Sequence, residues 1–173
     1  MELNEAILTR RSCRSYKPDA VPKELLEDIA KAGTYAASGM GRQSGKILVV
    51  TNKELRDQLM KMNREIMGKT SGDPFYGAPV VIVVLANKNI ATHVYDGALV
   101  MGNMMLKAHA LGLGSCWIHR AKEEFESEEG KEILKKLGIE EELEGVGHLI
   151  VGYPEGDAPV ARERKADFVT FAE

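Results

Sequence analysis

Apolar positions recur along most of the chain at the three-to-four-residue spacing of amphipathic helices. Leu3, Ile7 and Leu8 share one helical face, which predicts a short helix ending near Arg10. A second helix begins at Pro22 and runs toward residue 36, before the glycines at positions 39 and 41. Three more helices are predicted: one capped by Asn52, one over residues 92–111, and one capped by Ser127 and closed by Gly138. The acidic run 123–129 is interpreted as a solvated helix start.

Four apolar segments predict strands at residues 46–51, 79–86, 115–119 and 146–152. The segment 79–86 is apolar at every position, so both of its faces should be covered and the strand should be central. Helices and strands alternate, and that pattern by itself favours a parallel α/β sheet. The pattern does not fix strand direction, however, and two helices precede the first strand.

Length and charge limit the classes to which the chain can belong. Its 173 residues, without an internal repeat or linker-like stretch, predict a single domain over residues 1–173. The formal charge of -3 excludes a globally basic nucleic-acid coat. The first residues lack the apolar core of a signal peptide, and no apolar run approaches the length of a membrane span. We therefore expect a soluble cytoplasmic protein.

Cysteines and histidines give little indication of a covalent or metal site. Cys13 and Cys116 could form a disulfide, but two reduced thiols are the interpretation that a cytoplasmic protein favours. No two of the four histidines are spaced four residues apart, and no HExxH motif occurs, so no metal site is expected. His109, inside an apolar helix, is interpreted as a packing residue.

The densest charged motif is Arg-Arg-Ser-Cys-Arg-Ser-Tyr at residues 10–16, directly after the first predicted helix. Forked guanidinium donors beside short hydroxyls suit a phosphate group. A second basic group, Arg162, Arg164 and Lys165, lies in the charged tail. Two solvated surface patches, or a nucleic-acid-binding patch, are the alternatives to a phosphate site.

Two glycine-containing segments could approach a ligand closely. Residues 39–46 match neither a P-loop nor a dinucleotide-binding fingerprint, because the glycine spacing and the helix-to-strand context are wrong for both. They form either a flexible ligand-binding segment or an ordinary turn. Gly112 and Gly114 precede the only tryptophan, Trp117, and indicate either a flat ligand or a helix end beside a core tryptophan.

Five segments follow one another along nearly the whole chain. They are Arg-Arg-Ser-Cys-Arg-Ser-Tyr at 10–16, Ala-Ala-Ser-Gly-Met-Gly-Arg-Gln at 36–43, Gly-Ala-Pro at 77–79, Asp96 to Asn103 with Ala108 to Ile118, and Val-Gly-Tyr-Pro at 151–154 followed by Arg162 and Arg164. In this order they resemble the FMN-dependent nitroreductase family. Each piece alone is a weak signal, whereas five in the right order are a strong one.

The resemblance implies an α+β fold with a mixed, mainly antiparallel central sheet flanked by helices, in a homodimer with FMN at the subunit interface. It implies hydride transfer from NADH or NADPH through flavin N5 to a small electron-poor acceptor, such as a nitroaromatic or a quinone, by a ping-pong mechanism. The missing acid–base pair is then expected, because the cofactor carries the chemistry and the protein positions it. No nucleic-acid or membrane partner is expected.

The family's site can be carried over by position. Residues 10–14 would hold the phosphate, ribityl chain and flavin edge, and the tail arginines would return to the same phosphate. Residues 38–43 would approach from the partner subunit, and residues 118–120 would line the ring with one N–H pointing at N5. The implied cofactor-binding residues are Arg10, Arg11, Ser12, Arg14, Ser38, Gly39, Met40, Gln43, Asn103, Ile118, His119, Arg120, Arg162 and Arg164.

Some positions depart from the family pattern. Gly41 stands where the family has Asn, Ala37 where it has Pro, and Ser44-Gly45 where Pro-Trp is frequent. The chain is also short for the family, which leaves little room for an inserted lid. These departures keep open the acceptor, the preferred nicotinamide, and a second hypothesis: a flavin-binding protein for FMN storage or redox sensing, without efficient turnover.

Overall fold

The computed structural model describes residues 1–173 and places four strands and six helices in three layers. The helices are α1 (Leu3–Thr9), α2 (Lys23–Thr34), α3 (Lys53–Ile66), α4 (His93–Ala110), α5 (Ala121–Glu126) and α6 (Glu128–Lys136). The strands are β1 (Gly45–Val50), β2 (Val80–Asn87), β3 (Gly114–Ile118) and β4 (Leu143–Gly152). None of the helices is both long and apolar enough to cross a membrane.

The sheet has the order β1-β2-β4-β3, and each of its three strand pairs is antiparallel. The parallel sheet that the alternation pattern favours is therefore wrong, whereas the mainly antiparallel sheet implied by the family resemblance is confirmed. A single parallel bridge, Ser12 to Ser115, attaches the arginine motif to the outer side of β3. This bridge is what brings the N-terminal motif to the sheet.

Both faces of the sheet are covered, which explains the uninterrupted apolar run of β2. Val81, Val83 and Leu85 point into a core shared with α3, α5 and α6. Ile82 and Val84 belong to the opposite core, shared with α2 and α4. All residues from Val80 to Ala86 are buried, as expected for a central strand with helices on both sides.

Local chemistry sets several element boundaries as the sequence indicates. The Asn52 side chain accepts a hydrogen bond from Leu55 N–H at the start of α3, and Ser127 accepts one from Gly130 N–H at the start of α6. Pro22 is the N-cap of α2 rather than its first helical residue. Helix α5 is an additional element, and Glu124 within it is fully buried, so the interpretation of the whole run 123–129 as solvated is wrong.

Candidate active site

A cavity of about 410 Å³ opens where the arginine motif meets β3. We call it the arginine cavity. Arg10, Arg11 and Arg14 line it together with His109 of α4 and Ser115 of β3. The chain just beyond β4, from Pro154 to Pro159, forms another of its walls.

Backbone pairing holds the arginine motif in place. Cys13 N–H donates to Ser115 O at 2.9 Å, and Lys17 N–H donates to Tyr153 O at 2.9 Å. The motif comes so close to β3 at Gly114 that a Cβ there would lie 2.8 Å from the Cys13 side chain. Only glycine fits this approach, so the Gly114 position of the Gly-Leu-Gly segment has a structural reason.

Polar groups in the arginine cavity lack partners within the protein. Arg10 Nη1 and Ser115 Oγ are buried and form no hydrogen bond. Neither Arg10 nor Arg14 forms an ion pair, although the Glu155 and Asp157 side chains line the same cavity. Burying a donor without a partner costs free energy, so this arrangement suits the binding of an anion in the cavity.

Arg11 differs from its neighbours because its guanidinium already serves the backbone. Its Nη1 donates to Leu8 O at 2.9 Å and to Arg10 O at 2.7 Å. These bonds satisfy a carbonyl left free at the C-terminal end of α1. Among the three arginines of the motif, Arg10 and Arg14 are the free cations.

His109 belongs to this cavity, and the sequence interpretation of it as a packing residue missed that. The Thr9 hydroxyl donates its only hydrogen to Glu5 O at 2.6 Å. Thr9 Oγ1 must therefore accept the hydrogen bond that joins it to His109, and His109 Nε2–H donates it at 2.8 Å. Burial lowers the pKa of His109, and the nearby Arg10 and Arg11 lower it further. The histidine is thereby kept neutral beside the arginines.

The second group of predicted site residues lies in the loop between α2 and β1. Met40, Gly41 and Gln43 all have left-handed backbone conformations, with φ values of 56°, 66° and 49°. Ser38 Oγ accepts a hydrogen bond from Gln43 N–H at 3.0 Å and closes the loop on itself. Non-glycine residues held at positive φ are uncommon, and they cluster at functional sites.

Asp96 anchors this loop from the first turn of α4. Its carboxylate accepts hydrogen bonds from Gly39 N–H at 3.0 Å, from the Ser44 hydroxyl at 2.6 Å and from the Thr92 hydroxyl at 3.2 Å. Burial alone would raise the pKa of Asp96, but these donors outweigh it and hold that pKa below its ordinary value. Asp96 is thus a buried residue that positions the loop. In the sequence it is visible only as part of a segment that resembles the family.

The third group occupies the turn between β3 and α5. Ile118 is buried at the end of β3, His119 is exposed, and Arg120 is half-buried with a left-handed φ of 80°. Arg120 O accepts the first hydrogen bond of α5, from Glu124 N–H at 3.1 Å. We call residues 118–120 the β3–α5 turn.

The loop 38–43 and the arginine motif lie at opposite edges of the sheet. The loop leads into β1 and the motif pairs with β3, so three strand spacings, about 14 Å, separate the two edges. A separate cavity of about 360 Å³, with Ser38, Gln43 and Asp96 in its wall, shares no residue with the arginine cavity. One chain therefore does not bring the two groups together.

Three predicted site residues lie elsewhere. Asn103, in the middle of α4, donates from Nδ2 to Ala32 O at 3.2 Å and ties α4 to α2. Arg162 and Arg164 lie in the exposed tail, outside the arginine cavity. Pro159 does line the cavity, and the three residues from it to Arg162 can span at most about 11 Å.

Known proteins are similar to this chain in sequence. The model of the nitroreductase family matches residues 7–153. A protein of Archaeoglobus fulgidus, named as a candidate NADH dehydrogenase/NAD(P)H nitroreductase, is 30% identical over 161 residues, which cover 90% of this chain and 87% of that protein. A similarly named protein of Methanothermobacter thermautotrophicus is 29% identical over 160 residues, 89% of this chain and 78% of its own length.

Solved structures agree over the full length. A nitroreductase of Bacteroides fragilis with bound FMN is 28% identical, with a TM-score of 0.91 and complete coverage of both chains. A nitroreductase of Desulfitobacterium hafniense with bound FMN is also 28% identical, with a TM-score of 0.87 and complete coverage of both chains. The chain is a nitroreductase-fold protein, and it belongs to the nitroreductase family.

Proposed function

We propose that this protein is an FMN-dependent oxidoreductase that uses NADH or NADPH to reduce small electron-poor acceptors. The observation that carries the proposal is the pair of unpartnered buried groups, Arg10 Nη1 and Ser115 Oγ, in a cavity with a second free cation, Arg14. That donor set fits a phosphate, and relatives of the same fold are described with FMN bound.

The residues present fit the cofactor in the following way. Arg10 and Arg14 would bind the phosphate, with Ser12 toward the ribityl chain. Arg162 and Arg164, a short stretch beyond the cavity wall, would add charge to the same phosphate. The β3–α5 turn would line the ring, with one backbone N–H directed at N5. Asn103 would bind the cofactor from α4, where its side chain already donates a hydrogen bond to Ala32 O of α2.

FMN, held by these residues, would supply the redox chemistry of hydride transfer through N5 from nicotinamide to acceptor. The chain's own contribution is to bind the phosphate, orient the ring and leave one face open to both substrates. Because nicotinamide and acceptor would occupy this face in turn, we expect ping-pong kinetics. We expect the acceptor to be a nitroaromatic or a quinone.

A second copy of the chain would complete the site. Ser38, Gly39, Met40 and Gln43 lie at the sheet edge far from the arginine cavity, so they would approach the flavin of the partner subunit. The chain also exposes large apolar side chains on α1, α4 and the tail, including Leu8 at 70%, Leu99 at 51% and Phe171 at 84% exposed. These exposed side chains are candidates for the surface that a second chain would cover.

The deciding experiment is a visible absorption spectrum of the purified protein, before and after incubation with FMN and removal of the free cofactor. We expect a bound oxidised flavin that bleaches on addition of NADH or NADPH and recovers with a quinone or a nitroaromatic compound. Protein that binds no FMN would contradict the proposal. Bound flavin that neither nicotinamide bleaches would instead indicate FMN storage or sensing.

The charge of the arginine cavity can be tested separately. We expect Arg14→Ala and Arg164→Ala each to weaken FMN binding by about 1.5–3 kcal/mol, through loss of a charge-assisted contact, with an unchanged unfolding midpoint of the apoprotein. Lys61→Ala, which removes an exposed charge on α3 that does not line the arginine cavity, is the matched control. Unchanged FMN affinity in both arginine variants would contradict the phosphate assignment.

A further inference from the structure

Beneath the β3–α5 turn lies a buried polar cluster that the proposed function does not use. It joins Asn63 of α3, Glu124 of α5 and His148 of β4, all of them completely inaccessible to solvent. Asn63 Nδ2 donates to Glu124 Oε1 at 2.6 Å, and Glu124 Oε2 lies 3.0 Å from His148 Nε2. The Phe75 ring packs against His148, with 5.4 Å between the ring centroids.

The cluster reaches the turn through one hydrogen bond. Asn63 Nδ2 also donates to His119 O at 2.8 Å. Both of its amide hydrogens are therefore used, one for Glu124 and one for the turn, which fixes the orientation of the amide group. Asn63 Oδ1 and His148 Nδ1 have no hydrogen-bond partner. The 3.0 Å contact between Glu124 Oε2 and His148 Nε2 is a close polar contact without hydrogen-bond geometry.

This bond determines which way the following peptide group faces. A trans peptide places its C=O and N–H on opposite sides. Because the buried Asn63 holds the His119 carbonyl toward the core, the Arg120 N–H must point away from the core. No acceptor within the chain receives that N–H. The left-handed φ of Arg120, 80°, is the conformation in which the turn is held.

We propose that Asn63 is a positioning residue for the reaction, and that Glu124 and His148 hold it in place. Through the His119 carbonyl, Asn63 directs the Arg120 N–H at the flavin ring. The inference rests on the proposed function, since it assigns the backbone donor of the ring to Arg120. Three buried side chains, from three different elements, orient that donor.

Close packing supports a fixed turn rather than a mobile one. A Cβ at Gly145 of β4 would overlap the backbone oxygen of Ala121, and one at Gly130 would overlap that of Glu124. The start of α5 therefore lies directly against β4, where the register with β2 shifts between Val84 and Leu85. This packing places the backbone of the turn, while Asn63 sets the direction of one peptide group within it.

The test measures hydrogen exchange of the Arg120 amide by NMR, with and without FMN. We expect FMN to slow that exchange about tenfold in the unmodified protein, because the free N–H gains an acceptor. In Asn63→Leu, which has nearly the same volume but no donor, we expect protection of less than about twofold while FMN still binds. Reduction of the bound flavin by NADH should slow about tenfold, with KM changed less than kcat.

Gln58→Leu is the matched control, because Gln58 Nε2 of the same helix donates to Glu129 Oε1 at 2.7 Å, away from the turn. It should leave both readouts unchanged. Equal Arg120 protection in Asn63→Leu and in the unmodified protein would overturn the inference. So would the absence of Arg120 protection in unmodified protein that binds FMN and is reduced by NADH, and in that case the proposed function stands. Failure to bind FMN would overturn both.

If Asn63→Leu does not fold, Glu124→Met provides the same test. This variant keeps the Asn63 side chain but removes the oxygen that accepts its hydrogen bond, so we expect Arg120 protection to fall at least about threefold. Unchanged protection in folded Glu124→Met would contradict a positioning role for the cluster.

Discussion

Gly41 departs from the family pattern, and its backbone conformation explains why glycine is accepted there. The resemblance has Asn at this position, and the glycine suggests a lost side-chain contact. The structure gives Gly41 a φ of 66°, and a Cβ there would contact nothing. Glycine adopts this region freely, and Asn is among the few other residues that tolerate it. Both residues therefore meet the same backbone requirement.

The positive φ of Gly41 predicts the outcome of two substitutions. We expect Gly41→Asn to change the free energy of unfolding by less than about 1 kcal/mol, and Gly41→Val to lower it by about 1–2 kcal/mol more, because a β-branched side chain is strained at positive φ. Urea unfolding of the apoproteins measures both. Equal losses in the two variants would show that side-chain bulk, rather than backbone conformation, selects glycine.

At the scale of elements, the link between α4 and the loop 38–43 depends on Asp96. We expect Asp96→Ala to lower the free energy of unfolding by about 2–3 kcal/mol at pH 7, because it leaves Gly39 N–H and the Ser44 hydroxyl without an acceptor. Glu65→Ala, which removes only an exposed ion pair with Lys61, should cost less than about 0.5 kcal/mol. A loss in Asp96→Ala no larger than in this control would contradict the anchoring role.

The lowered pKa of Asp96 also makes its contribution to the free energy of unfolding depend on pH. Its ordinary value is 3.8, so on acidification the unfolded chain takes up the proton before the folded chain does. The contribution of Asp96 is therefore complete above that value and is lost as the pH falls through the folded pKa. The difference in the free energy of unfolding between the unmodified protein and Asp96→Ala should be constant near neutrality and should decrease below about pH 4.

Elements also show what the sequence could and could not predict. The capped helices and the central strand followed from local chemistry and periodicity, because Asn52, Ser127 and the apolar run 79–86 act within a few residues. Strand direction did not follow, since it depends on where each connection crosses the sheet. Helix α5 is only six residues long, too short for a clear period. The family resemblance supplied the antiparallel sheet, which the structure confirms.

The same limit applies to the candidate site. The arginine motif was visible in sequence because its charges are consecutive. Asn63 left a fainter signal, a polar residue four positions after Leu59 on the buried face of α3. Its partners Glu124 and His148 lie 61 and 85 positions away along the chain, and only the fold brings them together.

At the scale of the whole molecule, the division of site residues between two sheet edges predicts complementation between defective chains. Arg14→Ala impairs the arginine cavity, and Gly39→Val should displace the loop 38–43, since a Cβ there would overlap Thr92 Oγ1. We expect each variant alone to bind FMN weakly. Mixed dimers should regain one intact site, so random mixing should restore about a quarter of all sites.

The measurement is FMN bound per chain after the two variants are unfolded and refolded together, with separately refolded samples as the control. A site built within one chain would give no recovery on mixing. Sedimentation of the unmodified protein should independently give twice the mass of one chain.

The position of the loop 38–43 at the far edge of the sheet has a consequence for how cofactor and concentration are related. If two chains share each flavin, dissociation of the dimer and dissociation of the cofactor are coupled, because separating the chains also dismantles the site. Linkage makes the effect reciprocal: FMN tightens the association of the chains by the same factor by which association tightens FMN. The protein's own abundance would then set the fraction of its molecules that can carry out the reaction.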